Sequence, residues 1–193
     1  LGDVYKRQLA RVDFLGSDLE KIEGDISLLL VVHPQNLSEK TLFAIDQFVV
    51  GGGNLFVAVD PNCQSCAPTQ APPMPNMPTP DVSSDLNKLL EPWGVSSDTK
   101  NMIANIDLAA KVNVGQGLVR DFVLWLAFSK NTSVEDAVNR DDIVTSELDT
   151  VVMPWTGSLK LEDREGIKSN VLLKTTKNSQ LYSTDKFNTV RAN

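Results

Sequence analysis

The 193-residue chain is 41% hydrophobic and 22% charged, the balance of a globular protein long enough to bury a core without disulfides or metals. Its formal net charge of -7 argues against non-specific attraction to nucleic acid or anionic lipid. No apolar run approaches the roughly 18 residues that a membrane-spanning helix needs.

The opening octapeptide, "LGDVYKRQ" (residues 1–8), carries no apolar period that joins the next segment. It reads as a non-native translated adapter, to be set aside from fold reasoning. Residues 9–193 are expected to form a single α/β domain fragment, an internal piece of a longer protein. "ARVDFL" has the pattern of a short strand, and "SDLEKIEGD" that of a turn or short helix. Ile26–Val32, "ISLLLVV", is a continuous apolar run bounded by Asp25 and by His33-Pro34, the pattern of a strand buried on both faces of a parallel sheet. In "NLSEKTLFAIDQFVV", Ser38 suits a helix N-cap with Glu39 in the first turn, and Leu42, Ile45, Phe48 and Val49 fall on one helical face. A second apolar run, "NLFVAVD", predicts a neighbouring buried strand, completing a right-handed strand–helix–strand unit.

Between that helix and strand stand Gly51, Gly52 and Gly53, which resemble a phosphate loop at first sight. Phosphate loops place their glycines after a strand, so that the N-terminus of the following helix faces the anion. These glycines follow a helix, whose C-terminal dipole repels anions, and no Gly-Lys-Ser/Thr occurs. They read as a helix C-cap and turn.

Residues 61–80 hold seven of the ten prolines and predict an extended surface loop, dispensable for folding. "SSDLNKLLEPWGV" predicts a helix capped by Ser83 or Ser84, with Leu86, Leu89 and Leu90 inward. Farther on, "TKNMIANI" and "LVRDFVLWLAF" predict strands. "NRDDIVTSELDTV" predicts an amphipathic helix capped by Asn139 or Asp141, and "NVLLKTTKNSQLYS" a strand followed by a polar loop.

Three stretches taken together carry a family resemblance: "DISLLLVVHPQNLSEKTLFAIDQFVVGGGNLFVAVDPN", "SSDLNKLLEPWGV" and "NRDDIVTSELDTVVMPWTGSLK". The combination of His-Pro after one strand, "DQFVVGGG" at a helix end and Asp-Pro after the next strand resembles the GldG-type family. Those proteins are auxiliary components of uncharacterised ABC transport systems, linked in some bacteria to gliding motility. The resemblance implies a Rossmann-like, class I glutamine amidotransferase-like parallel sheet with flanking helices and no catalytic apparatus. Here that sheet would be incomplete at its N-terminus and followed by an irregular C-terminal extension. It also implies a location on the extracytoplasmic (periplasmic) face of the bacterial inner membrane. Permease and ATPase partners would be engaged through the full-length protein, and the membrane only through anchors outside this fragment.

The residues that could carry chemistry are few. An amidotransferase cysteine needs a glycine-flanked elbow and a downstream histidine, but "DPNCQSC" has no flanking glycine and the one histidine, His33, precedes it. Cys63 and Cys66 form a lone C-x-x-C with no second pair and no nearby histidine, two ligands short of a structural zinc site. A loop disulfide, incidental thiols, or a soft-metal set completed by Met74 and Met77 remain open. His33 and Asp60 end two strands expected to be neighbours, at the sheet edge where open α/β sheets bind ligands. They are candidate ligand-binding residues; the plainer alternative is that each only finishes its strand. No catalytic residue and no cofactor is expected. The leading reading is a non-enzymatic interaction or substrate-recognition domain. Its rivals are a degenerate amidotransferase-like hydrolase using His33 and Asp60, and a metal-binding module on the Cys/Met loop.

Overall fold

A computed structural model describes residues 12–66, 81–130, 134 and 136–186. The segment 1–8 and the residues Met74 and Met77 lie outside the described residues. The chain divides into two compact units, one formed by residues up to Val31 with Asn36–Phe56, the other by Val32–Gln35 and the chain from Val57 onward.

In the first unit, strand β1 (Leu28–Val32) leads to helix α1 (Glu39–Val50) and strand β2 (Asn54–Ala58), and β1 and β2 are hydrogen-bonded neighbours. Ser38 caps α1 by accepting from the Thr41 backbone N–H at 3.2 Å. The helix stops at the glycines: Gly51 and Gly53 donate to the carbonyls of Gln47 and Phe48, both at 2.9 Å, and Gly52 takes φ +93. A side chain at Gly53 would overlap the Phe48 ring. Leu29, Thr41, Ala44 and Ile45 are buried here, and the Thr41 hydroxyl donates to the Ser17 carbonyl at 3.0 Å.

The apolar strands are covered on one face only. Leu29 is buried, whereas Leu28, Leu30 and, in β2, Phe56 are exposed. A continuous apolar run cannot by itself distinguish a strand buried on both faces from one that alternates between cover and solvent.

The second unit is built from short elements: α2 (Asn87–Leu90), a 3-10 turn (Glu91–Trp93), β3 (Val95–Ser97), β4 (Asn101–Asn105), β5 (Ala109–Asn113), β6 (Val119–Ser129), α3 (Ile143–Ser146), β7 (Thr150–Pro154), β8 (Leu159–Leu161) and β9 (Ser179–Ser183). β3 pairs with β8 and β4 with β9, while β5, β6 and β7 form a three-stranded sheet; all these pairings are antiparallel. Leu108, Leu126, Phe128 and Ala137 form the center of its core, with Val151 and Met153 packed against them. On β6 and after β7, Phe122, Trp125 and Trp155 meet edge to face with centroids 5.5 and 5.2 Å apart.

This architecture overturns the expected Rossmann-like, amidotransferase-like parallel sheet with flanking helices. Among the described residues small antiparallel sheets dominate, and α2 and α3 are only four residues each. The physical reason is in the C-terminal half, where β6 buries Leu126 and Phe128 on one face and pairs on both edges with strands running the other way, which needs no crossover helix. Local expectations fail with it. "NRDDIVTSELDTV" is helical only over the four residues of α3, capped by Asp142 rather than Asn139 or Asp141, and its last two residues open β7; Ile143 is 90% exposed. "NVLLKTTKNSQLYS" yields an isolated bridge at Leu173 and then β9, so its polar end is the strand. "ARVDFL" has no regular structure from Val12 on. None of the described helices is long and apolar enough to cross a membrane.

Candidate functional site

His33 follows β1 and is held in the left-handed region at φ +48, although the residue before a proline is ordinarily driven to extended backbone. Its N–H donates to the Ala58 carbonyl at 2.8 Å, and the Pro34 carbonyl accepts from Asp85 N–H at 2.8 Å. Two long-range backbone bonds thus fix the conformation that the local sequence disfavours, the situation in which strain persists.

The ring Nδ1 of His33 lies 2.9 Å from the Ser84 hydroxyl. That hydroxyl also accepts from the Asp60 backbone N–H at 2.8 Å, while Ser84 N–H donates to the Asp60 carbonyl at 2.8 Å. The Asp60 carboxylate turns the other way and accepts from Asn62 N–H at 2.7 Å, closing an Asx turn. His33 and Asp60 are therefore brought together, but through Ser84, and it is the backbone of Asp60 that takes part.

Neither Ser83 nor Ser84, the two expected cap residues, caps α2, which has no side-chain cap; Ser84 instead joins His33 to Asp60. Nothing in its local sequence marks that role, because its partners lie 24 and 51 residues away. Leu86, Leu89 and Leu90 do point inward.

Of the proline-rich segment 61–80 expected as a surface loop, residues 67–80 lie outside the described residues, and the described start is largely buried. Pro61, Asn62 and Cys63 are buried, Asn62 donates to the Met102 sulfur at 3.7 Å, and Cys63 N–H donates to the Val82 carbonyl at 3.1 Å. Cys66 N–H then donates to the Cys63 carbonyl at 3.2 Å, and a disulfide joins the two cysteines. Cys63 is 7% exposed and Cys66 faces solvent. A histidine thought remote from this pair stands beside it: a ring nitrogen of His33 and both sulfurs lie within 4.8 Å of one another. Nε2 of His33 is buried and has no hydrogen-bond partner among the described residues.

Two surface hollows lie elsewhere in the second unit. One, of about 390 Å³, is bordered by Asp136, Asn139, Arg140 and Lys174; the other, of about 170 Å³, by Glu91, Ser96, Glu162 and Arg164. Neither is lined by His33 or Asp60. In the first, Arg140 is engaged in donating to the carbonyls of Thr145 and Leu148, both at 3.0 Å, which finishes the turn of α3.

The arrangement is a hydrogen-bonded junction of His33, Ser84 and the Asp60 backbone. Ser84 is 1% exposed. Its histidine partner presents Nδ1, and the other ring nitrogen meets no orienting carboxylate among the described residues, unlike the arrangement that activates a serine.

Residues 5–192 match the family model described as "ABC-type uncharacterized transport system", and the chain belongs to that family of auxiliary transport-system proteins. An uncharacterized protein of Borreliella burgdorferi is 27% identical over 177 residues, which cover 89% of this chain and 32% of that protein. The chain thus spans about a third of the length of the curated relative it matches. No solved structure matches.

Proposed function

We propose that the chain is an extracytoplasmic, non-enzymatic interaction or substrate-recognition domain of an ABC-type transport system, working with the system's permease and ATPase through the full-length protein. The observation that carries this reading is the family match over residues 5–192. A connection to gliding motility rests on the GldG-type resemblance. The non-enzymatic part is supported by the burial of Ser84 and by the absence of a glycine elbow at Cys63, which is joined to Cys66.

The test uses full-length protein, tagged in its native membrane. The ABC ATPase and permease should co-purify with it after mild cross-linking, and protease added to spheroplasts should digest this domain while cytoplasmic markers survive. Solubilised protein that runs without either partner, or a domain protected until the cells are lysed, would overturn the assignment. Glutaminase and peptidase assays on the purified chain should stay at background. Turnover abolished by His33→Asn or Ser84→Ala would restore the hydrolase alternative.

A further inference from the structure

We propose that reduction of the Cys63–Cys66 disulfide opens a zinc site whose protein ligands are the two thiolates and Nε2 of His33. The site differs from a Cys/Met loop set, because its third donor comes from the end of β1 rather than from the proline-rich segment.

Three observations converge. The C-x-x-C turn places two sulfurs where one ion can bridge them, and a His33 ring nitrogen and both sulfurs already lie within 4.8 Å of one another. Around a tetrahedral zinc, with Zn–S of about 2.3 Å and Zn–N of about 2.0–2.1 Å, donors sit roughly 3.5–3.8 Å apart. The widest gap must therefore close by about 1 Å and the two bonded sulfurs must part to that same spacing, movements within reach of a turn freed from its cross-link. Second, of the two ring nitrogens, Nδ1 is taken by Ser84 and Nε2 is buried with no partner among the described residues. A metal-bound imidazole almost always gives its other N–H to a fixed acceptor, which sets the tautomer and aims the ring. Ser84, buried and itself held by two hydrogen bonds with Asp60, is such an acceptor. Third, the exposed Cys66 side gives the ion a way in, and the fourth position falls to water.

The chemistry balances in two steps. The disulfide takes two electrons and two protons from a dithiol, which leaves as a disulfide, giving two thiols. Zinc then displaces the two thiol protons and binds the thiolates and the neutral imidazole. In the oxidised chain the sulfur lone pairs belong to a disulfide, a poor zinc ligand, so the site exists in one redox state only.

The experiment is a titration of the 193-residue chain with zinc alone, against a chromophoric chelator. One sample is reduced under argon with a thiol-free phosphine and the other left oxidised. One zinc per reduced chain should bind with micromolar or tighter affinity, and the oxidised chain should not compete with the chelator. Cobalt in place of zinc should give thiolate charge-transfer bands with the d–d pattern of a tetrahedral ion. Ser84→Ala should weaken binding about 10- to 100-fold, and His33→Asn, chosen because Asn tolerates the left-handed backbone, by more. Equal affinity in both redox states, or unchanged affinity in His33→Asn, would overturn the proposal. X-ray absorption of the zinc-loaded wild-type chain needs no variant: two sulfurs and an imidazole nitrogen are expected, and two sulfurs with only oxygen would refute it.

Discussion

Two serines, Ser38 and Ser84, each offer a hydroxyl to a backbone N–H, in regions assembled on different terms. Ser38 accepts from Thr41 three residues ahead, in a helix that also ends on its own glycines. Ser84 joins Asp60 and His33, 24 and 51 residues away, at a buried junction. The first arrangement pays little loop-closure entropy and can form early; the second exists only once the rest of the unit has closed around it. A hydroxyl that costs little to lose in one place is costly in the other.

Glycine sharpens the contrast most. Gly94 ends the 3-10 turn at φ +78, and a side chain there would strike the Glu162 carbonyl and approach the Arg164 Cγ at 2.8 Å, where β3 meets β8. Gly52 has a similar backbone at φ +93 but nothing within 4 Å. Gly94→Ala should lower unfolding free energy by about 3 kcal/mol or more, combining backbone strain with displacement of β8, and Gly52→Ala by about 1–2 kcal/mol of strain alone. Urea unfolding of both variants checks this, and equal losses would mean that the β3–β8 contact yields easily.

The serines come next. Ser84→Ala strands the Asp60 N–H and the His33 ring nitrogen, for an expected loss of about 3 kcal/mol. Ser38→Ala should cost about 1 kcal/mol, the usual value of an N-cap. Hydrogen exchange separates them further: the Ser38 change should speed exchange in the first turn of α1, and the Ser84 change at Asp60, Ser84 and Asp85. A Ser84 variant as stable as the Ser38 variant would show that the junction is not a keystone of its unit.

The smallest effect is electrostatic. Burial pushes the Asp98 carboxyl up, but hydrogen bonds from the Lys100 N–H and from the Asn101 side chain and N–H outweigh it and hold the group below the usual carboxylate range. A depressed folded-state value means that this contribution is fully present above the unfolded value of about 3.9 and is lost as pH falls through the lower folded value. Asp98→Asn should therefore flatten the acid limb of the stability profile below about pH 4, with the wild-type advantage seen only above it. An unchanged acid limb would assign the pH dependence to other carboxylates, such as Asp81, which its hydrogen bonds with Ser83 also hold low.

Much of the first unit was legible because its signals are local. A serine before an apolar helical face, followed by three glycines, specifies start and stop within sixteen residues of chain, and the structure places α1 between them. The inward leucines after Ser84 and the strands at Asn101–Asn105 and Val119–Ser129 were legible for the same reason. The apolar runs of β1 and β2 were read correctly as neighbouring strands and wrongly as strands buried on both faces. The parallel, helix-flanked architecture is not what the described part of the second unit builds, where the sheets are antiparallel.

By itself, then, the sequence determined where the chain turns, where α1 is capped and which residues are apolar enough to seek cover. Only the tertiary structure decided which strand meets which, because a backbone edge offers the same N–H and C=O groups to any partner. It was likewise tertiary structure that set His33 beside Cys63 and Cys66 and turned Ser84 from a helix cap into a bridge. Proximity across dozens of residues depends on how both segments bury their surfaces, and no spacing between neighbours along the chain encodes it.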